Sequence, residues 1–303
     1  MGKILVSGLV NVETTLKVRQ FPIEYYPIDY PFFGVDTAAS GVGYNIAGAL
    51  TALGDGVKLT GLTGFDFQSA YIRDTLQNRQ IPTEYLLPSL TQTPSSVILY
   101  DPSGRRQVWC DLKDIQEQTY PFTPELLQDV DLIAACNINF NRALLPMAKA
   151  AGKTVATDVH VLSDIYDGYN QDFLQAADIL FLSDEAIEGD YAPFLHEIAH
   201  AYGTKIIVLG RGSKGAALLF DGKVTSLPAV QVGPVVNTVG AGDALFSAFL
   251  HYHVKGLSPL EALIRAQLFA SAKIGANGGG NGFVNENQIE TYYHRFWADM
   301  KPY

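Results

Sequence analysis

The sequence has little of what several common kinds of site require. Only two cysteines, Cys110 and Cys136, occur in 303 residues, which is too few for a cysteine metal cage or a disulfide framework. We expect both to be buried free thiols. No apolar run approaches the roughly 20 residues of a membrane-spanning helix, and no signal-peptide cleavage site follows the first apolar stretch. We therefore expect a cytoplasmic protein that does not bind membranes.

Charged residues are also scarce, at 17% against 48% hydrophobic residues, and acidic residues outnumber basic ones by 31 to 21. The net charge of -10 argues against a protein that binds nucleic acids through their phosphate backbone. It does not argue against a small anionic ligand, because backbone amides bind phosphate without net positive charge. The length and apolar content suit a large α/β domain with a sizeable core.

Short apolar runs, each bounded by turn residues, recur along the chain. They are KILVSGL (3–9), VKLTGL (57–62), DLIAAC (131–136), TVATDV (154–159), DILFLS (178–183) and KIIVLG (205–210). Stretches with helical apolar spacing separate most of them, which predicts a mostly parallel sheet covered by helices on both faces. Such sheets bind ligands beyond the carboxyl ends of their strands.

Two segments interrupt this alternation and predict a small β flap beside the main sheet. The stretch 95–112 is typical of a hairpin, with the turn Asp101-Pro102-Ser103-Gly104 between two apolar runs. Residues 21–37 are rich in proline and aromatic residues. We interpret the chain as one domain, 1–303, with lid segments at approximately 11–39 and 92–112. The aromatic residues either cover a ligand or a second subunit, or pack as a loop on their own core.

The stretch NTVGAGDALFSAFL (237–250) sets small residues ahead of one acid and an apolar run. It predicts a helix whose first amides, those of Gly240, Ala241, Gly242 and Asp243, point outward and form a pocket for an anion. Asp243 would then be placed to accept a proton from an incoming hydroxyl. The alternative interpretation is an ordinary acidic residue favoured by the helix dipole.

This stretch resembles the C-terminal signature of the ribokinase-like (PfkB) carbohydrate kinases. The N-terminal half resembles the same family in SGVGYNIAGALTALG (40–54) and LTGFD (62–66), and the order of elements matches over nearly the whole chain. The resemblance implies a three-layer α/β sandwich, with a mostly parallel central sheet, helices on both faces and a small β lid.

The resemblance also implies roles for individual residues. Asp243 would be the base that deprotonates the substrate hydroxyl, and the amides of residues 240–243 would form the anion hole. The sugar would be held by Asn11, Glu13, the backbone of Gly41 and Gly43, and the side chain of Asn45. The alternative interpretation of the last three is turn glycines and a helix cap.

The sequence departs from the family pattern at several positions. Glu13 stands where the family usually has aspartate, so the substrate or the hydroxyl being held can differ. After the strand DILFLS, Ser183-Asp184-Glu185-Ala186 replaces the family's Asn-x-x-Glu near the magnesium ion. We expect Glu185 to organise the metal-bound water, with Asp184 as second choice and a pair of helix N-terminal acids as the alternative. We expect Asp158, at the end of TVATDV, to lie on the ligand-binding edge and face the phosphates, with a strand-end turn acid as the alternative.

The stretch Gly210-Arg211-Gly212-Ser213-Lys214-Gly215 satisfies G-x-G-x-x-G, a dinucleotide-binding fingerprint that requires a helix directly afterwards. Here AALLFDGKVTSL follows, which predicts a hairpin, so the Rossmann interpretation fails. The same glycines resemble the family's nucleotide loop, and Ser183, Gly210, Gly212 and Gly215 would contact the nucleotide. Ala276, Asn277 and Gly278 would supply the opposite wall.

The sequence hypothesis is an ATP- and Mg²⁺-dependent kinase that phosphorylates a hydroxymethyl group of a sugar or sugar-like substrate. Asn237 and Val239 replace the more polar or acidic residues of potassium-dependent members, which argues against a monovalent cation. The resemblance implies a homodimer joined through the lid. Two alternatives stay open: a nucleoside kinase, with its base against Tyr25, Tyr26, Phe32 and Phe33, and a non-catalytic sensor of sugar or nucleotide.

Overall fold

The six apolar runs of the sequence form six neighbouring, parallel strands of one sheet, as predicted. The computed structural model of the chain describes residues 2–103 and 105–302. Within these ranges the large sheet has nine strands in the order β13-β12-β11-β10-β9-β8-β1-β4-β5. The β-strands are β1 (Lys3–Ser7), β2 (Asn11–Lys17), β3 (Val35–Ser40), β4 (Gly56–Thr63), β5 (Leu86–Pro88), β6 (Ser95–Tyr100), β7 (Arg106–Asp111), β8 (Leu132–Ala135), β9 (Thr154–Val161), β10 (Ile179–Ser183), β11 (Ile206–Gly210), β12 (Ala216–Phe220) and β13 (Lys223–Leu227).

Helices cover both faces of this sheet. The α-helices are α1 (Val42–Leu53), α2 (Phe67–Asn78), α3 (Leu144–Ala150), α4 (Gln171–Ala176), α5 (Tyr191–Tyr202), α6 (Ala241–Val254), α7 (Pro259–Lys273) and α8 (Glu286–Phe296). Short 3-10 helices span Ile115–Glu117, Pro124–Leu127, Asn139–Ala143, Asp184–Ala186, Gly212–Lys214 and Trp297–Met300. None of the described helices is long and apolar enough to cross a membrane.

Side chains of each central strand alternate between two apolar cores. In β11, Ile206 and Val208 pack in the core beneath α1, α2, α6, α7 and α8, whereas Ile207 and Leu209 pack beneath α3, α4 and α5. A parallel strand that is buried on both faces needs apolar residues at every position, which is why these runs are continuous rather than alternating. The predicted α/β architecture, with helices on both faces, is confirmed.

The two lid segments, approximately 11–39 and 92–112, supply the strands of a separate four-stranded sheet in the order β3-β2-β6-β7, called the small sheet below. The predicted hairpin is the antiparallel pair β6 and β7. Of its predicted turn, Gly104 lies outside the described residues. Residues 18–34, which carry most of the proline and aromatic residues of the flap, contain no helix or strand.

Three local predictions need correction. Cys136 is buried as expected, but Cys110 is exposed on β7, because this strand is the outer member of the small sheet. Asn45 is not a helix cap, since α1 already begins at Val42 with Gly41 as its N-cap residue. Gly43 lies inside the helix and is not a turn glycine: a Cβ atom there would come within 2.8 Å of the backbone of Gly8.

Candidate active site

The first turn of α6 begins at a position that only glycine fits well. Gly240 has φ 75° and ψ 11°, in the left-handed region, and a Cβ atom on it would lie 2.6 Å from the carbonyl oxygen of Gly279. The chain therefore enters α6 against the loop that follows α7. Asp243, the third residue of α6, is partly buried in the first turn.

The predicted anion hole consists of the amides of residues 240–243. The N–H of Ala241 donates to the carbonyl of Thr238 over 3.2 Å, so this amide is used by the turn and does not point outward. Within the described part of the chain, the amides of Gly240, Gly242 and Asp243 have no hydrogen-bond acceptor. Free amides at a helix N-terminus bind anions, so three of the four proposed donors are available.

Asp243 is held by a hydrogen bond from the Nδ2 atom of Asn45 to its Oδ2 atom, at 2.7 Å. Burial raises the pKa of the Asp243 carboxyl above its ordinary value. The bond from Asn45 and the positive charge of Lys273 oppose this rise, whereas the carboxylate of Asp158 adds to it. Asp243 is therefore a stronger base than an exposed aspartate, and it is fixed in direction.

A cavity of about 830 Å³ opens in front of these amides, at the carboxyl ends of β9, β10 and β11. Its lining includes all four residues 240–243, together with Asp158, His160, Ser183, Glu185, Gly210, Gly212 and Gly215. The carboxylate of Asp158 faces the start of α6, because its Oδ2 atom would lie 4.0 Å from a Cβ atom built on Gly242. Asp158 does not end its strand as the sequence predicts, because β9 continues three residues further to Val161.

The hairpin prediction after the glycine-rich loop agrees with the structure, where β12 and β13 follow Gly215. A Cβ atom on Gly215, whose φ is 95°, would lie 2.0 Å from the carbonyl oxygen of Leu227, so this glycine admits the end of the hairpin. Ala276, Asn277 and Gly278 do not line the cavity. The wall on that side comes instead from α7 and the residue after it, through Ala270, Ser271 and Ile274.

The two candidate metal ligands lie in different surroundings. Glu185 lines the cavity, whereas Asp184 lies beside the glycine-rich loop, with its Oδ2 atom 3.4 Å from Nζ of Lys214 and 3.9 Å from Nε of Arg211. Asp184 is therefore paired with two basic side chains, and Glu185 is the one of the two acids that lines the cavity. Among residues 2–103 and 105–302, no group of three His, Cys, Asp or Glu side chains is arranged to hold a metal ion.

The candidate sugar-binding residues form a buried polar cluster where the small sheet meets α1. Asn11 and Glu13 lie on the same face of β2; the Nδ2 atom of Asn11 donates to Oγ of Ser96, and Oγ of Ser40 donates to Oε2 of Glu13, both at 3.1 Å. Burial raises the pKa of Glu13, although the bond from Ser40 and the charge of Lys273 oppose this. Asp243 adds to the rise.

Three buried oxygens of this cluster have no hydrogen-bond donor among the described residues. They are Oδ1 of Asn11, Oε1 of Glu13 and Oδ1 of Asn45. Buried acceptors without partners are costly, so three of them together mark a place where a hydrogen-bond donor would bind favourably. Gly41 and Gly43 pack directly on the backbone of residues 8–10, which brings the start of α1 close to this cluster.

Two basic residues at this site were not predicted from the sequence. Lys273, the last residue of α7, is fully buried, and its ammonium group donates to the carbonyls of Val239 and Gly278. Arg106 reaches from β7 to Oγ1 of Thr238 at 3.3 Å and lines the cavity. For Lys273 the sequence offers one signal, which is its position at the end of the apolar stretch LFASAK. A lysine in a buried helix is unusual, and it needs acceptors or opposite charges nearby.

Curated relatives match most of the chain. The acarbose 7(IV)-phosphotransferase of Actinoplanes sp. is 26% identical over 275 residues, which cover 89% of this chain and 90% of the relative. The 1-phosphofructokinase of Haloferax volcanii is 29% identical, covering 79% and 81% of the two chains. The nucleoside kinase of Methanocaldococcus jannaschii is 25% identical, covering 84% and 85%.

Solved structures and a family model give the same result. A microbiome-derived acarbose kinase, Mak1, superposes with a TM-score of 0.84 at 22% identity, over 96% of this chain and 98% of that one. Arabidopsis thaliana ribokinase, solved with ribose and ATP, superposes with a TM-score of 0.79 at 20% identity, over 96% and 97%. The family model described as pfkB family carbohydrate kinase matches residues 1–286. The chain therefore belongs to the pfkB family of carbohydrate kinases, has the ribokinase-like fold, and is a kinase whose phosphoryl acceptor is an alcohol group.

Proposed function

We propose that this protein transfers the γ-phosphoryl group of ATP to a hydroxymethyl group of a sugar or sugar-like molecule, with Asp243 as the general base. The observation that carries the proposal is the position of Asp243. Its carboxylate is fixed by Asn45, has a raised pKa, and lies in the same helical turn as three free amides at the cavity. Phosphoryl transfer requires such positioning and charge stabilisation rather than covalent help from the protein.

In the proposed reaction, the acceptor hydroxyl donates its proton to the carboxylate of Asp243. The acceptor oxygen forms a bond to the γ-phosphorus as the bond to the leaving oxygen of ADP breaks. The amides of Gly240, Gly242 and Asp243 would donate to the oxygens on which negative charge develops. Arg106 lines the cavity and contacts the loop that leads into α6, so its guanidinium would add positive charge at the same place.

The size and lining of the cavity suit a nucleoside triphosphate. Its volume of about 830 Å³ lies within the ordinary range for small-molecule sites. The glycine-rich loop lines one side, with Ser183 at the end of β10, and Val230, Ala270 and Ile274 provide an apolar wall for a base.

Glu185 and Asp158 are the two carboxylates that would organise Mg²⁺ and its water ligands at the phosphates. Mg²⁺ is usually bound through one or two carboxylates together with substrate phosphates and water, so a closed cage of protein ligands is not required. When bound, the ion would neutralise charge on the phosphates.

The acceptor class follows from the buried oxygens of Asn11, Glu13 and Asn45, which lack donors. A ligand that satisfies them must present hydrogen-bond donors, as the hydroxyl groups of an unmodified sugar do. The negative charge of Glu13 would repel a phosphorylated sugar at that position. A neutral polyhydroxy acceptor therefore fits this cluster better than a phosphosugar does.

The small sheet would act as a lid on the sugar, with residues 11–39 and 92–112 as parts of a single domain that spans the chain. Its inner face carries Glu13, and Arg106 extends from its outer strand to the cavity. On its opposite face, Val97 of β6 and Trp109 of β7 lie directly across from each other, and both side chains are half exposed. A homodimer through the lid would cover them. Sedimentation tests whether the protein is a dimer, and substitution of Trp109 by a charged residue tests whether this face forms the contact.

The experiment is a panel of free sugars, phosphosugars and nucleosides, read by ADP release with MgATP. Turnover with one or more free sugars, and much less with their phosphorylated forms, is expected. Preference for nucleosides would support the nucleoside kinase alternative, in which the exposed Tyr25, Tyr26, Phe32 and Phe33 would contact the base. A ligand that raises the melting temperature beside a non-hydrolysable ATP analogue, without any ADP release, would support a sensor.

A further inference from the structure

Lys273 is a charged side chain that the reaction described above does not use. It is fully buried, yet its Nζ atom lies between two backbone carbonyls, that of Gly278 at 2.8 Å and that of Val239. Burial of an ammonium group is strongly unfavourable unless acceptors and opposite charges compensate for it. Here the carboxylates of Asp243 and Glu13 provide those charges, and Arg106 opposes them.

The two carbonyls belong to the two loops that meet at the anion hole. Val239 precedes Gly240, and Gly278 precedes Gly279, whose carbonyl oxygen is the atom closest to a Cβ atom built on Gly240. Lys273 therefore joins the loops at their point of contact. On the far side, Arg79 holds the second loop by donating to the carbonyl of Gly280 at 2.6 Å and to Oδ1 of Asn281 at 2.8 Å.

The bond to Val239 has a direct consequence for the anion hole. The carbonyl of Val239 and the N–H of Gly240 belong to one peptide group, which is planar, with its C=O and N–H pointing in opposite directions. When Lys273 fixes the direction of that carbonyl, it also fixes the direction of the Gly240 amide. This amide is one of the three that are free to bind the phosphoryl group.

We propose that the ammonium group of Lys273 is a tethered cation that holds the anion hole in its working orientation and makes a diffusible monovalent cation unnecessary. This inference rests on the proposed function, because it assigns a role in the same site. Lys273 is a positioning residue: it acts through the peptide group of Val239 and Gly240. Carbonyl oxygens and nearby carboxylates are also the ligands that a free potassium or ammonium ion would use.

The test replaces Lys273 by methionine, which keeps the length of the side chain and removes its charge. Its kcat, measured with the best acceptor of the panel in sodium buffer, is expected to fall about 100-fold, the effect that a misplacement of about 1 Å can have. Addition of ammonium, methylammonium or potassium chloride is expected to restore kcat at least partly. The wild type is expected to have equal rates in sodium and potassium at constant ionic strength.

Lys58 provides a matched control, since its Nζ atom also donates to two backbone carbonyls, those of Leu126 at 3.1 Å and Gln128 at 3.0 Å, outside the cavity. The Lys58→Met variant loses the same kind of contact, and its kcat should be near normal and indifferent to these salts. A Lys273→Met variant with normal kcat, or with low kcat that none of the three cations raises, would overturn the proposal.

Two further readouts keep the proposal separate from the proposed function and from a folding defect. If no acceptor supports turnover, the melting temperature of Lys273→Met should still rise with ammonium chloride, more than that of the wild type in the same salt; equal shifts would contradict a tethered cation. If the Lys273→Met variant does not fold, the rates of the wild type in sodium and potassium buffers test the proposal by themselves. Equal rates in the sodium and potassium buffers support the proposal, and stimulation by potassium overturns it.

Discussion

Asn45 donates a hydrogen bond from Nδ2 to Oδ2 of Asp243 over 2.7 Å, which joins the first turn of α1 to the first turn of α6 across 198 positions of sequence. The bond fixes the direction of the proposed base. It also stabilises the ionised form of Asp243, in opposition to the effect of burial. The two signatures that identify the family therefore meet at one contact.

Replacement of Asn45 by alanine is expected to raise the pKa of Asp243 further, because the hydrogen bond from Asn45 lowers it. A base must be ionised, so activity is lost as the pH falls through the pKa of Asp243. The acid limb of the kcat profile should therefore move to higher pH. Asn78→Ala removes a comparable bond, from Nδ2 to Asp74 at 3.2 Å on the surface of α2, and should leave the profile unchanged. An unshifted acid limb in Asn45→Ala would contradict this account of the base.

The Gly242→Ala variant is expected to change the stability of the protein and its activity in opposite directions. The substitution replaces glycine by the best helix former, which should stabilise α6 by up to about 1 kcal/mol. The added Cβ atom would meet only Oδ2 of Asp158, at 4.0 Å, and would project into the space proposed for the phosphoryl group. We expect an equal or higher melting temperature with kcat reduced at least about 100-fold, because the methyl group would keep the phosphoryl group away from donors that each contribute about that factor.

The comparison for this variant is Gly240→Ala, where a positive φ and a 2.6 Å approach to Gly279 predict a clear loss of stability. Calorimetry and steady-state kinetics on the two variants measure both effects. If Gly242→Ala were fully active, the phosphoryl group would have to lie elsewhere.

Glu13→Gln tests the acceptor site. The amide keeps the shape of the side chain, but it removes the negative charge and replaces one of the two acceptor oxygens by a donor. Since a hydrogen bond to a charged group contributes about 1.5–3 kcal/mol, the KM for the sugar should rise roughly tenfold or more. The KM for ATP should not change. Glu24→Gln, in the exposed segment between β2 and β3, is the control, and a sugar KM equally unaffected in both variants would remove Glu13 from the site.

The titration of Lys273 predicts opposite effects of pH on activity and on stability. Burial lowers its pKa from 10.5 to about 8. As the pH rises above about 8, the ammonium group loses its charge and activity should fall. Between about 8 and 10.5 the unfolded chain binds a proton that the folded chain does not, so the contribution of Lys273 to stability should rise with pH. Melting temperatures and rates of the wild type and Lys273→Met from pH 7.5 to 10 measure both slopes. Parallel curves for the two proteins would show that Lys273 does not titrate in this range.

The layered α/β fold could be predicted because short stretches of the sequence are enough to indicate its strands and helices. A strand buried on both faces has to be apolar throughout, so runs such as KIIVLG identify β11 without any alignment. The same holds for Asp243, whose small preceding residues indicate a helix start with exposed amides. Strand β5, with only three residues, gives no comparable signal.

The contacts that complete the site could not be predicted in this way. The bonds of Asn45 to Asp243 and of Lys273 to Val239 join segments that are distant in sequence, and they depend on how the helices settle on the sheet. The ion pairs of Asp184 with Arg211 and Lys214 likewise follow from the pairing of β10 with β11. The sequence pattern already favours Glu185 over Asp184, but it gives no sign of the contacts that Asp184 makes with Arg211 and Lys214.

The kinetics of Asp243→Asn test the central claim most directly. Asparagine keeps the shape of the side chain, and its Oδ1 atom can still accept the bond from Asn45, but it cannot take a proton from the acceptor. We predict that kcat for the best acceptor falls by about 10²- to 10⁴-fold, the usual contribution of a general base. The melting temperature should not fall, since the substitution removes a partly buried carboxylate whose pKa is raised. Turnover close to that of the wild type would contradict the assignment of Asp243 as the base.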